Sequence, residues 1–208
     1  MDISILIIDG FYDDAEIVRE RALSFDFPVP AEGKNYPGRN SVQRFLPEGL
    51  DQVVSSLVHE PVQACQIAEH GRFRSTLASE EEDRGYYVHI DCDAHWSGIL
   101  FMSADKDCQG GTEFYRHREY AIDRTYITDV EARAHGWNSC SEFAVKTIQN
   151  DGNDLSKWEH LMTVPMRFNR LVLFRPWFWH TAGKSFGDSI ENGRLVQLFF
   201  WRAVPRRA

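Results

Sequence analysis

After about residue 84 the chain falls into short runs of aromatic and β-branched residues separated by turn chemistry, and this pattern limits the possible folds most. The runs are Tyr86–Asp91, Ser97–Ser103, Thr112–Tyr115, Arg167–Phe174, Phe178–His180 and Leu195–Trp201. Each has the composition and length of a strand. Asp105–Gly111, Arg175-Pro176-Trp177 and Gly183–Asp188 supply the intervening turns. Helical spacing is confined to the N-terminal part. Ala15, Val18, Ala22 and Phe25 predict a helix over roughly 14–24, with Asp13 and Glu16 as a capping box. Leu50, Val53, Val54, Leu57 and Val58 predict a second helix with one buried stripe, ending before Pro61. Ile3–Ile8 reads as a buried strand, and Val62–Ala78 as two strands around Glu69-His70-Gly71. The expected fold class is mainly β with flanking α-helices: a β-sandwich or jelly roll.

Within this pattern the stretch Tyr87-Val88-His89-Ile90-Asp91 carries chemistry. As a strand it places His89 and Asp91 on one face, with Tyr87 beside them. An imidazole and a carboxylate at that spacing can grip one cation from a single rigid edge. A second histidine from a distant strand completes a 2-His-1-carboxylate face that leaves iron(II) with open positions. His180 is the candidate. His59 and His70 read as surface or turn residues, His95 as part of a connecting turn, and Cys92 as an inert core thiol. Tyr36–Ser41 is polar and turn-rich; it is either a plain surface loop or a pocket rim that offers Arg39 to an anionic substrate group. Trp96, Trp177 and Trp179 line a substrate cavity or fill the core. Glu80–Asp83 reads as a solvated acidic loop.

The 208 residues suit one domain spanning 1–208, and a hydrophobic content of 43% is enough to bury a core and line a pocket. A net charge of −8 argues against nucleic acid as a partner. The basic residues Arg202, Arg206 and Arg207 read as a solvated tail. No apolar run is long enough to span a membrane. Met1–Leu6 lack the basic start and long apolar run of a signal peptide, and Cys65, Cys92, Cys108 and Cys140 form no tight framework. A cytoplasmic setting is therefore expected.

The order of motifs is more specific than any one of them. His89-x-Asp91 is followed by a strand, Gly110-Gly111-Thr112-Glu113-Phe114, Asn169–Phe174, His180, and Gly193-Arg194 at the start of the last strand. This series resembles the iron(II)/2-oxoglutarate-dependent oxygenases, most closely the prolyl 4-hydroxylase-like branch and a group of small bacterial proteins of that superfamily. The resemblance covers roughly 84–201. It implies a double-stranded β-helix with iron(II) held by His89, Asp91 and His180, and 2-oxoglutarate and O₂ as co-substrates. It also implies that Arg194 receives the far carboxylate of 2-oxoglutarate. On the last strand Arg194 shares a face with Val196, Leu198 and Phe200, and an arginine on such an apolar row needs a buried anion unless it sits at the strand's exposed start. Its distance from His180 is long for the family, which leaves Arg175 and Lys184 as fallbacks. Tyr87 either hydrogen-bonds the co-substrate or a metal-bound water, or is a packed tyrosine.

The expected activity is oxidation of an unactivated C–H bond, by hydroxylation or by desaturation or ring closure, in a small amino-acid-like molecule. The resemblance points to natural-product tailoring. The insertion over roughly 116–162, with its aromatic residues, is expected to be a lid that carries substrate choice; otherwise it serves as a simple covering or as the contact of a homodimer. Two other classes compete: a non-catalytic, cupin-like binding barrel and a zinc hydrolase. Neither gives Arg194 a role.

Overall fold

The computed structural model describes residues 3–29, 36–83 and 87–204. Strand β1 (Ile5–Asp9) leads into helix α1 (Ala15–Leu23). β2 (Arg39–Arg44), α2 (Leu50–Val58), β3 (Val62–Ala64) and β4 (Arg72–Thr76) follow. Beyond the His-x-Asp stretch come β5 (Trp96–Phe101), β6 (Gly111–His117), α3 (Asp129–Ala134) and α4 (Cys140–Asp151). β7 (Trp158–Pro165), β8 (Arg170–Phe174), β9 (His180–Thr181) and β10 (Arg194–Ala203) complete the order.

The strands form two antiparallel sheets. The larger runs β1-β8-β5-β10-β4-β2, with β3 beside the far end of β10; the smaller runs β7-β6-β9. Alternation along β10 explains the layering. Leu195, Phe199 and Trp201 turn to one side and pack with Val18, Ala22, Val54 and Val58 of α1 and α2. Val196 and Leu198 turn the other way and pack with Phe114 and Val164 of the smaller sheet. That sheet's outer face, through Tyr115 and Trp158, packs on Ala132 of α3 and Phe143 of α4. The result is four layers, with two sheets enclosed between two pairs of helices.

Most expected elements are present, and the differences have local causes. The residue preceding α1 is Asp14, whose side chain makes no capping bond, so the Asp13–Glu16 capping box does not form. Strand β8 starts at Arg170, not Arg167, because Asn169 adopts φ +60 and clamps Tyr12, accepting from its N–H and donating to its carbonyl. The insertion is shorter than expected. β6 runs to His117 and β7 begins at Trp158, paired to each other, so the connection spans only 118–157. The middle of β7 is exposed on both faces, so Glu159–Thr163 lacks the alternation that marks a strand. Within the connection Thr128 and Ser139 do cap α3 and α4, accepting from the N–H groups of Glu131 and Glu142. Gly111 is required where β6 begins, since a Cβ there would run into the Val164 carbonyl. Ala78–Asp83 is a 3-10 turn, and Glu80 is not simply solvated but bonds both Arg39 and the Leu77 N–H; the side chains of Glu82 and Asp83 lie outside the described residues. Arg206 and Arg207 lie outside the described residues.

His70 lies in a turn, one of the two places expected for it, but not at the surface. It is buried between Phe199 and Trp201, and its Nδ1 accepts from the Phe200 N–H at 3.0 Å. Burial lowers its pKa below the ordinary 6.5. The unfolded chain therefore takes up a proton below about 6.5 that the folded chain refuses, so stability is lost as pH falls through that range. His70→Asn keeps an acceptor and removes the titration. Its melting temperature should fall less steeply than that of the wild type between about pH 7 and about pH 5. Parallel curves would remove His70 from the acid response.

Candidate metal and co-substrate site

The His-x-Asp stretch is not the regular strand expected. Its backbone groups are divided among four partners, with Tyr87 N–H donating to Asn153 Oδ1. Val88 N–H donates to Gly152 O, Asp91 N–H donates to Pro176 O, and His89 exchanges two bonds with His180. Tyr86 lies outside the described residues. The His89–His180 exchange, at 3.0 and 2.9 Å, is an isolated antiparallel bridge. His180 in turn belongs to β9 and pairs with Phe114 of β6. One backbone pairing thus brings together two histidines 91 positions apart, ring centroids 4.6 Å apart.

Local hydrogen bonds set the chemistry of both rings. Nδ1 of His89 lies 3.3 Å from Tyr87 O, and Nδ1 of His180 lies 2.9 Å from Phe178 O. A carbonyl accepts only, so Nδ1 carries the proton and each Nε2 keeps its lone pair for a cation. Ser97, fully buried on β5, donates to Asp91 Oδ2 at 2.6 Å. The same oxygen is 3.6 Å from His180 Nε2, and ligand atoms of His89, Asp91 and His180 lie within 4.8 Å of one another. Two imidazole lone pairs and one oriented carboxylate in this arrangement could hold a divalent metal.

These groups open on a cavity of about 360 Å³ between the two sheets. Ile99, Val196, Leu198 and Phe200 give it an apolar wall, and Arg74 and Arg194 also line it. Arg194 is buried and lies on the same face of β10 as Val196, Leu198 and Phe200.

Several other candidates are not at this cavity. Trp96 is one residue out of register: Ser97 faces the site, while the Trp96 indole points into the helix-side core and donates to Glu60. Trp177 packs beside His95 and Arg175, and Trp179 lies in the core beneath α4. Arg39 pairs with Glu80 at 2.9 Å instead of facing the pocket. Tyr87 directs its hydroxyl to Glu113, because the irregular stretch does not keep positions 87 and 89 on one face. Of the fallback cations, Arg175 pairs with Glu60 at 2.7 Å and covers the Trp96 ring, and Lys184 is exposed. His95 joins that Glu60 cluster. Cys92 is exposed, not a core thiol. Ser97 and Arg74 were the residues that sequence reasoning passed over. For Ser97 the signal is strand alternation read one position further; for Arg74 the local pattern holds none, since its place follows from the pairing of β4 with β10.

Residues 2–200 match the family described as "Family of unknown function (DUF6445)". The chain belongs to that family. No curated protein matches this DUF6445 chain. Among solved structures it is similar to HygX from Streptomyces hygroscopicus with nickel and 2-oxoglutarate bound, at 12% identity and TM-score 0.46, covering 97% of this chain and 83% of that one. It is also similar to an N-substituted L-amino acid dioxygenase from Burkholderia ambifaria AMMD, at 12% identity and TM-score 0.43, covering 97% and 86%. Such distant likenesses carry no assignment, so function is argued from the residues of the cavity.

Asp91→Ala should abolish tight binding of a divalent metal in a calorimetric titration. Ser97→Ala should weaken it about tenfold, as expected when a ligand loses its orienting partner. An unchanged isotherm for Asp91→Ala would show that the three groups do not act as one metal site.

Proposed function

We propose that this chain is an iron(II)- and 2-oxoglutarate-dependent oxygenase acting on a C–H bond of a small, amino-acid-like molecule. The observation that carries the reading is one cavity containing both a His-Asp-His face and a buried arginine, Arg194, on an otherwise apolar strand. In this reading His89 and His180 offer Nε2 to the metal, and Asp91, held by Ser97, offers an oxygen. Iron(II) with 2-oxoglutarate and O₂ supplies the oxidising power, and succinate and CO₂ are the co-products. Arg194 receives the far carboxylate of 2-oxoglutarate, for which a guanidinium is suited in shape and stays charged when enclosed. Ile99, Leu198 and Phe200 keep water from the reacting centre. The two-sheet core is read as a double-stranded β-helix.

The cavity volume lies near the lower end for ligand pockets, which fits a small substrate. Ile148 of α4 lines the cavity, so the 118–157 connection contributes to its wall and is read as the substrate-side cover. Arg124 of that connection pairs with Glu131 and lines a separate cleft. A zinc hydrolase would need a general base besides its ligands. Among the described lining residues Asp91 is the one carboxylate, which favours the oxygenase. A binding barrel with no catalysis gives the buried cation no task.

Oxygen uptake coupled to succinate release, measured with iron(II) and a panel of free and N-substituted amino acids, tests the activity. Iron-loaded protein that consumes neither O₂ nor 2-oxoglutarate with any of them would count against an oxygenase. Arg194→Ala should weaken 2-oxoglutarate binding about ten- to a hundredfold, the loss of a charge-assisted bond, with metal affinity nearly unchanged. Unaltered 2-oxoglutarate affinity would take that role from Arg194.

A further inference from the structure

Arg74 shares the cavity with Arg194. The two strands β4 and β10 pair so that Arg194 faces Thr76 and Val196 faces Arg74. The arginines are therefore diagonal neighbours on adjacent strands, and both line the cavity. Diagonal positions of this kind lie about 7–8 Å apart, a gap that two long side chains can close on a single group.

Arg74 is built in with care for its position and little for its charge. Its Nε donates to Asn40 Oδ1 at 2.7 Å, and its guanidinium lies 3.6 Å from the centre of the Tyr36 ring. Asn40 is itself fixed, donating from Nδ2 to the Tyr36 hydroxyl at 3.0 Å. Both partners are neutral. Burial disfavours its charged form; Tyr36 opposes that most, partly through a hydrogen bond, and Glu69 and Asp91 act through space. An oriented cation enclosed this way, with a second guanidinium diagonal to it, suits an anion placed between them.

We propose that Arg74 and Arg194 clasp one carboxylate from two strands, and that the carboxylate is the distal one of 2-oxoglutarate. This rests on the oxygenase reading above. It assigns Arg74 a co-substrate role and makes the cavity select a 2-oxo diacid over a 2-oxo monoacid of equal length. Tyr36 and Asn40 are positioning residues, acting through Arg74.

The test is anaerobic calorimetric titration of the iron(II)-loaded chain with 2-oxoglutarate and with 2-oxopentanoate, which has the same chain without the distal carboxylate. The wild type should prefer 2-oxoglutarate strongly. Arg74→Gln should weaken 2-oxoglutarate about ten- to a hundredfold and leave 2-oxopentanoate and iron(II) affinity unchanged, and Arg74→Lys should restore part of the preference. Equal losses for both acids, or 2-oxoglutarate affinity within about twofold of the wild type, would overturn the clasp. Should Arg74→Gln not fold, Arg74→Lys and Asn40→Ala decide by the same ratio of affinities. A wild-type protein that binds iron(II) but neither acid overturns the oxygenase reading itself. That outcome is distinct from a preference that survives loss of Arg74.

Discussion

The two N–H···O bonds exchanged between His89 and His180 are the constraint on which the site depends. They hold together an irregular stretch and a two-residue strand, neither of which has a long ladder of its own. Because the bonds are made by the backbone of the histidines themselves, the side chains emerge side by side. The carbonyls two residues back then turn each ring and fix its tautomer. Position and tautomer are both set by short stretches of chain on either side, so the candidate metal face needs little from the distant parts of the fold beyond their support.

That support comes from opposite directions. From the large sheet, Ser97 orients Asp91, and β10 presents Arg194 and the apolar wall. From the other side, the 118–157 connection holds the backbone of both histidine segments. Gly152 accepts from Val88 N–H, Asp123 accepts from Trp179 N–H, and Trp177 O accepts from Thr125 N–H. The connection is thus a buttress as well as part of the cavity wall, which explains why so many of its aromatic residues are packed inward. Tyr126 and Phe143 are buried against Trp179, the residue preceding His180.

The large sheet separates two kinds of polar cluster that sequence alone could not tell apart. Arg175, Glu60, His95 and the Trp96 indole form an ion-paired group. Arg74 and Arg194 line the cavity on the other face. The first group is satisfied by its own carboxylate and needs no ligand. The second sets two guanidiniums beside an apolar wall, the surroundings in which the proposed carboxylate would be held.

Local pattern determined much of this protein. Alternation and turn chemistry identified most of the strands, helical spacing placed α1 and α2 within a residue or so, and the His-x-Asp spacing with a later histidine named the three residues that the fold brings together. Tertiary structure decided what depends on long-range pairing. A period of two says that residues alternate, but not which face meets the cavity; a shift of one position put Ser97, not Trp96, beside Asp91. Partner choice decided the cations, since Arg39 and Arg175 lie near carboxylates that no spacing rule reveals. The edge strand β7 escaped notice because solvent bathes both its faces and leaves no hydrophobic period to read. Arg74 was legible only once β4 lay against β10, because a guanidinium becomes a binding group through what encloses it and not through its place in the chain.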